Sequence, residues 1–516
     1  MKRNLIAKIC LSLALTFTSA AMVPAPVSAA VPQTVAASEI GLATSGARVV
    51  FISEKKTARG ISYTEVLGEI LPASDKGTPI HFQVNLPEKW NGKMVQFGGG
   101  GFNGVLVTAD GHAPGEAEAE PTPLEQGYAT YGSDSGHVGE LWDASFAQNE
   151  EALRNFAHEQ LKKTHDTALR IITEFYGKSP RKSYFIGGSN GGREALQAAQ
   201  RYGTDYDGII SLYPVLNWIP KGIADNRNAN ALLADGGKGW MSAEDFKKVH
   251  DTWLSMTDEL DGLADGLVQN YAAAEKMTPE ILKALEKDLT PEQMEILTLF
   301  LSPMHFEYPL ANDFRTMPGF SLGQELRDDI LNQFGSRAGV RDGEMALSSN
   351  GSLGWQSFRR GDVDMEHFDY RKHKDVLQAS SALLDATNPD LSAFRAHGGK
   401  LLILHGTTDQ LVTVKGSIQY YEKLKDVFGE EELDKFVKFY LVPGFGHSMG
   451  GVFMMGRNLL ADLDQWADGG KEPDVLTVVD QNEKTFGRKQ FLAPWPYYSR
   501  YRGGDPQDAD SFVKAK

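Results

Sequence analysis

A glycine-rich serine segment at residues 187–192 constrains the fold more than any other feature of the chain. It reads Gly-Gly-Ser-Asn-Gly-Gly and has the form G-x-S-x-G, with Ser189 at its centre. A short buried-strand pattern at 184–186 precedes it, and apolar residues at helical spacing follow it. Between a strand and a helix, this pattern predicts a sharp turn that presents the Ser189 hydroxyl as a nucleophile. The context favours such an elbow over a plain glycine turn.

A nucleophilic serine needs a base, and the base needs a carboxylate to orient it. Folds that carry this elbow supply the three groups in the chain order serine, acid, histidine, each in a loop after a strand. Asp409 ends the loop after a buried strand at 401–404, and His447 ends the loop after a strand at 437–442. We therefore predict Ser189 as nucleophile, Asp409 as acid and His447 as base. A helix-capping role competes for Asp409.

The other histidines fit the role of base less well. His137 and His165 precede the serine, which the chain order excludes. His405 stands at a strand end, where we expect it to pack beside the acid loop.

Four consecutive glycines, residues 98–101, follow a predicted strand at 94–97. A tetrahedral oxyanion needs two preorganised N–H donors. We expect one from Asn190, the residue after the nucleophile, and the other from Gly100 or Gly101. A phosphate-binding loop is excluded because no Gly-Lys-Ser/Thr follows.

Strand and helix patterns alternate on both sides of an irregular middle. Strands are predicted at 49–52, 61–67, 80–86, 94–97, 209–212, 401–404 and 437–442, and helices at 149–176, 417–427 and 450–466. This alternation predicts an α/β fold, an α/β-hydrolase core with a mostly parallel sheet. The core is assigned to residues 31–218 and 396–516, and a large inserted lid domain to residues 219–395. Such sheets place their active site at the carboxyl edge.

Residues 1–30 have the pattern of a signal peptide. Lys2, Arg3 and Lys8 precede an apolar run to about residue 17, and small residues end the segment at Ala29. The run is shorter than the roughly 20 apolar residues of a membrane span. We therefore expect a secreted or periplasmic protein. The one cysteine, Cys10, would leave with this segment, so the mature chain is expected to hold no disulfide.

The formal net charge of −16 argues against a nucleic-acid or anionic-membrane partner. It suits a small-molecule substrate. The sequence leaves the oligomeric state open.

An acidic run lies in the predicted lid at residues 258–267. Asp258, Asp261 and Asp265, with glycines between them, offer the hard oxygen ligands that Ca²⁺ prefers. The spacing does not match an EF-hand, since Leu263 stands at a ligand position. On spacing alone, an acidic surface turn and a calcium loop are equally good interpretations.

Taken together, these motifs resemble the tannase/feruloyl esterase family over nearly the whole chain after residue 30. The matching segments are the tetraglycine loop, Ser133-Asp134-Ser135-Gly136-His137, Phe175-Tyr176-Gly177-Lys178, the elbow through Arg193, and Tyr501-Arg502-Gly503-Gly504-Asp505. The resemblance implies an α/β-hydrolase core with a large lid, activity on esters of aromatic acids, and structural Ca²⁺ in the lid. Matched residue by residue, it makes Asp258, Asp261 and Asp265 side-chain ligands, with the carbonyls of Leu263 and Leu267.

The chain departs from the family pattern at three positions. Family members usually carry a cysteine just before the serine, joined to another just after the histidine, and a further cysteine before the calcium loop. Gly188, Ser448 and Thr257 stand there instead. Because both halves of the pair are missing together, the resemblance implies a disulfide-free branch.

The sequence thus predicts a secreted serine carboxylic-ester hydrolase that forms an acyl-serine intermediate. Its expected substrates are small aromatic-acid esters of the feruloyl, galloyl or terephthaloyl type. One alternative is an esterase for aliphatic hydroxy-acid oligomers, and another is a non-catalytic binding protein on a hydrolase fold. The candidates for setting specificity lie in the lid: Trp355, Phe358, Arg359, Arg360 and Phe368.

Overall fold

A ten-stranded sheet forms the centre of the protein. The computed structural model describes residues 31–324, 332–448 and 451–516, so the predicted signal peptide lies outside the described residues. The strands of this sheet and of three small ones are β1 (Thr34–Val35), β2 (Ala47–Lys56), β3 (Ser62–Ile70), β4 (Ile80–Pro87), β5 (Lys93–Phe97), β6 (Ala129–Ser133), β7 (Lys182–Gly188), β8 (Gly208–Leu212), β9 (Met304–Leu310), β10 (Phe314–Met317), β11 (Lys400–Gly406), β12 (Val437–Val442), β13 (Met455–Gly456), β14 (Leu476–Asp480), β15 (Lys489–Leu492), β16 (Tyr498–Tyr501) and β17 (Phe512–Ala515).

The central sheet has the strand order β1-β2-β3-β4-β6-β5-β7-β8-β11-β12. In this order, the neighbouring strands from β6 through β5, β7, β8 and β11 to β12 are all parallel. The pairs from β1 to β4, and β4 with β6, are antiparallel. Antiparallel neighbours need only short turns, whereas parallel neighbours need crossovers, and this accounts for the strand-rich start of the chain. The parallel part carries the predicted alternation of strand and helix.

The helices pack on both faces of the sheet and build the region beyond it. They are α1 (Glu150–Arg154), α2 (Gln160–Tyr176), α3 (Asn190–Arg201), α4 (Trp218–Ala231), α5 (Ala243–Thr257), α6 (Tyr271–Lys276), α7 (Thr278–Leu285), α8 (Pro291–Leu301), α9 (Glu344–Ser349), α10 (Gln356–Phe358), α11 (Lys374–Leu384), α12 (Ser392–His397), α13 (Val414–Phe428), α14 (Glu430–Asp434) and α15 (Leu459–Ala467). A search of the described residues finds no helix with the length and apolar character needed to cross a membrane.

Successive side chains of β11 enter different cores because strand side chains alternate between faces. Leu401 and Ile403 join the cluster formed with α3 and α13. Leu402 and Leu404 join the cluster on the opposite face, which α15 covers. An unbroken apolar run is therefore what a strand buried on both faces requires.

Two predicted helices differ from the observed ones. The helix expected at 149–176 begins after Asn149, whose side chain caps α1, and ends at Gly177 with φ 67°, but a π-helical segment at Asn155–Glu159 divides it. The helix expected at 450–466 was placed too early, and its first residue lies outside the described ones. β13 pairs with β14 before it, and α15 starts only after Asn458, which caps it.

Residues 219–395 contribute no strand to the central sheet within the part of the chain that the structure describes. They form most of α4, all of α5 to α11, and the hairpin of β9 with β10. One apolar cluster, which includes Phe246, Phe300 and Phe334, belongs wholly to this region. The proposed division into core and lid agrees with this arrangement and stays a prediction.

We expect Leu402→Ala to lower the free energy of unfolding by about 2–5 kcal/mol, because Leu402 is fully buried between β11 and its covering helix. Urea denaturation of the two proteins measures the difference. The matched control is Val427→Ala on α13, where the side chain is 50% exposed and a change within about 0.5 kcal/mol is expected. Equal losses in both variants would contradict the assignment of this core.

Candidate active site

Ser189 stands between the end of β7 and the start of α3 with φ 60° and ψ −121°. This backbone conformation is strained for a residue with a side chain. The strand and helix approach so closely that a Cβ atom on Gly187 would lie 2.3 Å from the carbonyl oxygen of Gly191. Glycine at these positions is therefore required by the turn itself, which presents the serine hydroxyl at the sheet's carboxyl edge.

Ser189, His447 and Asp409 meet in one chain of hydrogen bonds. His447 Nδ1 lies 2.8 Å from Asp409 Oδ2, and His447 Nε2 lies 2.8 Å from Ser189 Oγ. A carboxylate only accepts, so Nδ1 carries the proton and the Nε2 lone pair faces the serine hydroxyl. The imidazole is thus held in the tautomer that can take a proton from Ser189.

The Asp409 carboxylate is fully buried and uses both oxygens. Oδ1 accepts the backbone N–H groups of Leu411 and Val412, each at 2.9 Å. Oδ2 faces His447 and also lies 3.2 Å from His405 Nε2. Burial alone would raise the pKa of Asp409, but the two histidines together hold it well below its usual range.

Orienting the histidine and closing the loop are therefore not competing roles for Asp409, since a different oxygen serves each. The capping is local to the loop, because α13 begins only at Val414. His405 packs beside the acid loop, with Nδ1 2.8 Å from Ser417 Oγ.

The tetraglycine loop lies directly against the start of α3. A Cβ atom on Gly98 would lie 2.8 Å from Gly191 Cα, so the two backbones touch. The Asn190 side chain donates to the carbonyl of Gly99 at 3.3 Å. The structure thus brings the loop and the residue after the serine together.

Two of the four loop amides, and that of Phe102 directly after the loop, already have acceptors. Gly98 N–H donates to Ile186 and Phe102 N–H to Leu141, while the Gly99 amide donates to a buried glutamate. Within the described residues, no acceptor is recorded for the N–H groups of Gly100 or Gly101. A Cβ atom on Gly100 would meet nothing within 4 Å, so this part of the loop borders open space.

The other two histidines lie in structural positions. His137 Nε2 is 2.9 Å from the carbonyl of Phe102, and burial lowers the pKa of His137 to about 4. His165 Nδ1 lies 3.0 Å from Asp166. The structure places neither in hydrogen-bond contact with Ser189.

Tyr213 is a residue of the site that the sequence did not reveal. Its ring lies 5.0 Å from that of His447, edge to face, and 5.8 Å from that of Phe445. Its hydroxyl occupies the space beside Gly188, where a Cβ atom would lie 2.4 Å from it. No local motif marks this tyrosine, because its contacts come from two other segments, the turn at Gly188 and the loop that holds Phe445 and His447.

The two arginines considered as substrate ligands already have acidic partners. Arg359 contacts Glu150 at 3.2 Å, and Arg360 contacts Asp362 at 2.6 Å. Phe358 and Phe368 pack edge to face at 6.0 Å. Another residue of the region predicted as a lid does contact Asp409: the side-chain amide of Gln324 donates to the backbone carbonyl of Asp409 at 3.1 Å.

The acidic run forms a compact loop in which each aspartate accepts backbone N–H groups. Asp258 accepts from Gly266, Asp261 from Leu263 and Gln269, and Asp265 from Leu267. None of the three aspartates forms an ion pair with a described residue. Burial, with added repulsion from Asp265 and Asp258, raises the pKa of Asp261 to about 7.

A different cluster brings ligating atoms closest together. Over the described residues, His165, Asp166 and Asp205 form the group of three whose ligating atoms lie within 4.8 Å of one another, and the acidic loop does not meet that distance. The Lys162 ammonium group lies 2.9 Å from Asp166 and 3.0 Å from Asp205, so these two carboxylates are already paired with a positive charge from the protein.

Known proteins are similar to this chain in sequence. The family model described as tannase and feruloyl esterase matches residues 64–515. An uncharacterised esterase of Agrobacterium fabrum is 35% identical over 94% of this chain and 92% of its own. A mono(2-hydroxyethyl) terephthalate hydrolase of Piscinibacter sakaiensis is 26% identical over 84% of this chain and 81% of its own.

The fold agrees with a solved structure. Feruloyl esterase B from Aspergillus oryzae superposes with a TM-score of 0.78 at 20% identity, covering 93% of this chain and 98% of that one. The predicted α/β-hydrolase fold is therefore confirmed. The chain belongs to the tannase and feruloyl esterase family and is a carboxylic ester hydrolase.

Proposed function

We propose that the protein is an exported serine esterase that hydrolyses small esters of aromatic carboxylic acids. The observation that carries the proposal is the unbroken hydrogen-bond chain from Ser189 through His447 to Asp409. Serine is a weak nucleophile on its own, and an adjacent oriented base is what activates it.

In the first half of the reaction, Ser189 Oγ attacks the ester carbonyl carbon while His447 Nε2 takes the hydroxyl proton. Asp409 stabilises the imidazolium and fixes its orientation without taking up the proton. The N–H groups of Asn190 and of Gly100 or Gly101 would hold the oxyanion, since these loop amides have no recorded acceptor among the described residues. The alcohol leaves with the proton from His447, and the acyl group stays on Ser189.

In the second half, water attacks the acyl-serine and His447 takes its proton. The tetrahedral intermediate collapses, Ser189 recovers its proton from His447, and the carboxylic acid leaves. The same donors serve both halves because the oxyanion forms at the same place.

Two observations support aromatic acids as substrates. The matching family is named for tannase and feruloyl esterase, and one relative is a hydrolase of a terephthalate ester.

The sequence of residues 1–30, with its basic start and short apolar run, supports export to a secreted or periplasmic location.

A panel of four esters tests this function: methyl ferulate, propyl gallate, mono(2-hydroxyethyl) terephthalate and a hydroxybutyrate dimer. We expect an aromatic ester to give the highest kcat/KM and the dimer the lowest. Ser189→Ala should lose several powers of ten in rate on every ester. The matched control, Ser255→Ala on the exposed face of α5, should behave as the unaltered enzyme. Preference for the dimer would favour the aliphatic alternative, and an active Ser189→Ala protein would refute the mechanism.

Asp409→Asn should keep the fold but reduce kcat by roughly 10⁴-fold, because an amide facing His447 Nδ1 favours the wrong tautomer. Stopped-assay kinetics on the best ester of the panel, with a melting curve for each protein, measures the effect. Asp434→Asn, on α14, serves as the control. A folded Asp409→Asn enzyme with most of its activity would show that another group orients the base.

We further propose that the acidic loop holds a structural Ca²⁺ ion. The side chains of Asp258, Asp261 and Asp265 and the carbonyls of Leu263 and Leu267 would be its ligands. The donors are hard oxygens, and their negative charge has no ion-pair partner among the described residues, so they fit the ion's chemistry. When bound, Ca²⁺ would neutralise this charge and would take no part in the ester chemistry.

Calcium binding at this loop would support more than the lid. A Cβ atom on Gly262 would lie 2.8 Å from the carbonyl oxygen of Tyr501, and Arg488 donates to the carbonyl of Asp265 at 3.3 Å. The carboxyl-terminal part of the core therefore packs on the loop. Fixing the loop would stabilise that packing as well.

Chelation should therefore lower the melting temperature, and added calcium should restore it. A ligand that binds only the folded state adds about 2.7 kcal/mol when its free concentration is roughly 100 times Kd. Asp261→Asn should abolish the response, while Asp362→Asn, at an exposed lid position, should keep it. Magnesium should substitute poorly, because it prefers a tighter octahedron. Melting that is indifferent to chelator and calcium would leave an ordinary acidic turn.

A further inference from the structure

Glu194 is an inaccessible acid on α3 whose carboxylate contacts the tetraglycine loop. Oε2 accepts the N–H of Gly99 at 3.0 Å. Oε1 accepts the side-chain amide of Asn103 at 2.8 Å, with those of Gln160 at 3.2 Å and Asn190 at 3.4 Å. Every one of these contacts comes from a donor, so the carboxylate serves only as an acceptor.

This carboxylate forms no ion pair with the described residues. Burial outweighs the charge of Arg193 and the donated hydrogen bonds and raises the pKa of Glu194 to about 7, so the group is anionic above neutral pH. A buried charge without an ion pair is costly, and the surrounding donors must offset that cost. Two of these donors, Gly99 and Asn103, lie on either side of Gly100 and Gly101.

We propose that Glu194 is a positioning residue that fixes the tetraglycine loop for oxyanion binding. Glu194 holds the loop at Gly99 and at Asn103, before and after the N–H groups of Gly100 and Gly101, which have no recorded acceptor among the described residues. Glu194 is on the same helix as Asn190. The positions of both expected oxyanion donors are therefore set by the same helix, α3. The inference rests on the proposed acyl-serine mechanism and deepens it.

The isosteric variant Glu194→Gln separates this role from packing. Its side chain has nearly the same volume but offers one acceptor oxygen and one NH₂ group. If the oxygen faces Asn103, the NH₂ group faces the Gly99 N–H, and if the amide is reversed, Asn103 loses its acceptor. Either orientation releases one side of the loop.

At alkaline pH we expect Glu194→Gln to lower kcat roughly 10- to 100-fold with KM changed by less than about twofold. An arylboronic acid gives the second readout. Its boron bonds to Ser189 Oγ, the hydroxyl proton passes to His447, and the tetrahedral adduct places an oxygen where the oxyanion forms. Its inhibition constant should rise about as much as kcat/KM falls, while that of the product carboxylic acid should stay within about twofold.

The matched control is Glu151→Gln. Glu151 is also a buried glutamate that accepts backbone N–H groups, those of Ala73 and Ser74, but it lies away from the elbow. It should lower the melting temperature and leave kcat unchanged. Should Glu194→Gln fail to fold, Asn103→Ala removes one donor to the same carboxylate and should show a smaller loss of the same kind.

Unchanged kcat in a folded Glu194→Gln enzyme would overturn the inference, as would equal weakening of boronic acid and product acid. Those results leave the triad intact. An active Ser189→Ala enzyme would instead refute the acyl-serine mechanism, so the two failures can be told apart.

Discussion

The rest of the site depends on the hydrogen bonds that the Asp409 carboxylate accepts. One oxygen closes its own loop through Leu411 and Val412, and the other holds His447 in the tautomer that faces Ser189. The backbone carbonyl of Asp409 accepts a hydrogen bond from the side-chain amide of Gln324, which lies in the region predicted as a lid. A fully buried acid thus joins the loop after β11, the base after β12 and the region above them, and its low pKa keeps it charged while it does so.

The sequence could point to Ser189, Asp409 and His447 because each lies in a local pattern, and the structure brings the three side chains together. Ser189 is marked by glycines that the turn requires. Asp409 follows the apolar run at 401–404, and His447 follows the strand at 437–442, which is apolar apart from Lys438. The edge strand β1 and the late start of α15 were not predictable in this way. Pairing direction and a short strand such as β13 depend on partners far along the chain, which no local window contains. The roles of Tyr213 and Glu194 could not be predicted for the same reason, because they depend on contacts between segments that are far apart in the sequence.

The lid region and the tetraglycine loop are mechanically linked through Phe102. This residue follows the loop directly, and a Cβ atom on Gly351 would lie 2.3 Å from its ring. Phe102 also packs against Trp218, at the start of α4, at 5.6 Å. Arg193, one residue before Glu194, stacks over Trp218 at 4.9 Å and donates to the backbone carbonyls of Ala157 and Leu384. A displacement of the segment around Gly351 would therefore press on Phe102, the residue next to the tetraglycine loop.

The contact between Gly188 and Tyr213 has a consequence for how this site can change by mutation. Because the tyrosine hydroxyl fills the space beside Gly188, a cysteine or any other side chain at 188 would collide with the ring that supports His447. Shrinking Tyr213 first would open a cavity beside the base. The two positions are therefore epistatic: a side chain at 188 needs a smaller residue at 213, and a smaller residue at 213 leaves a cavity unless a side chain at 188 fills it. A lineage exchanging the aromatic support for a covalent one would have to cross a less stable intermediate or make both replacements together.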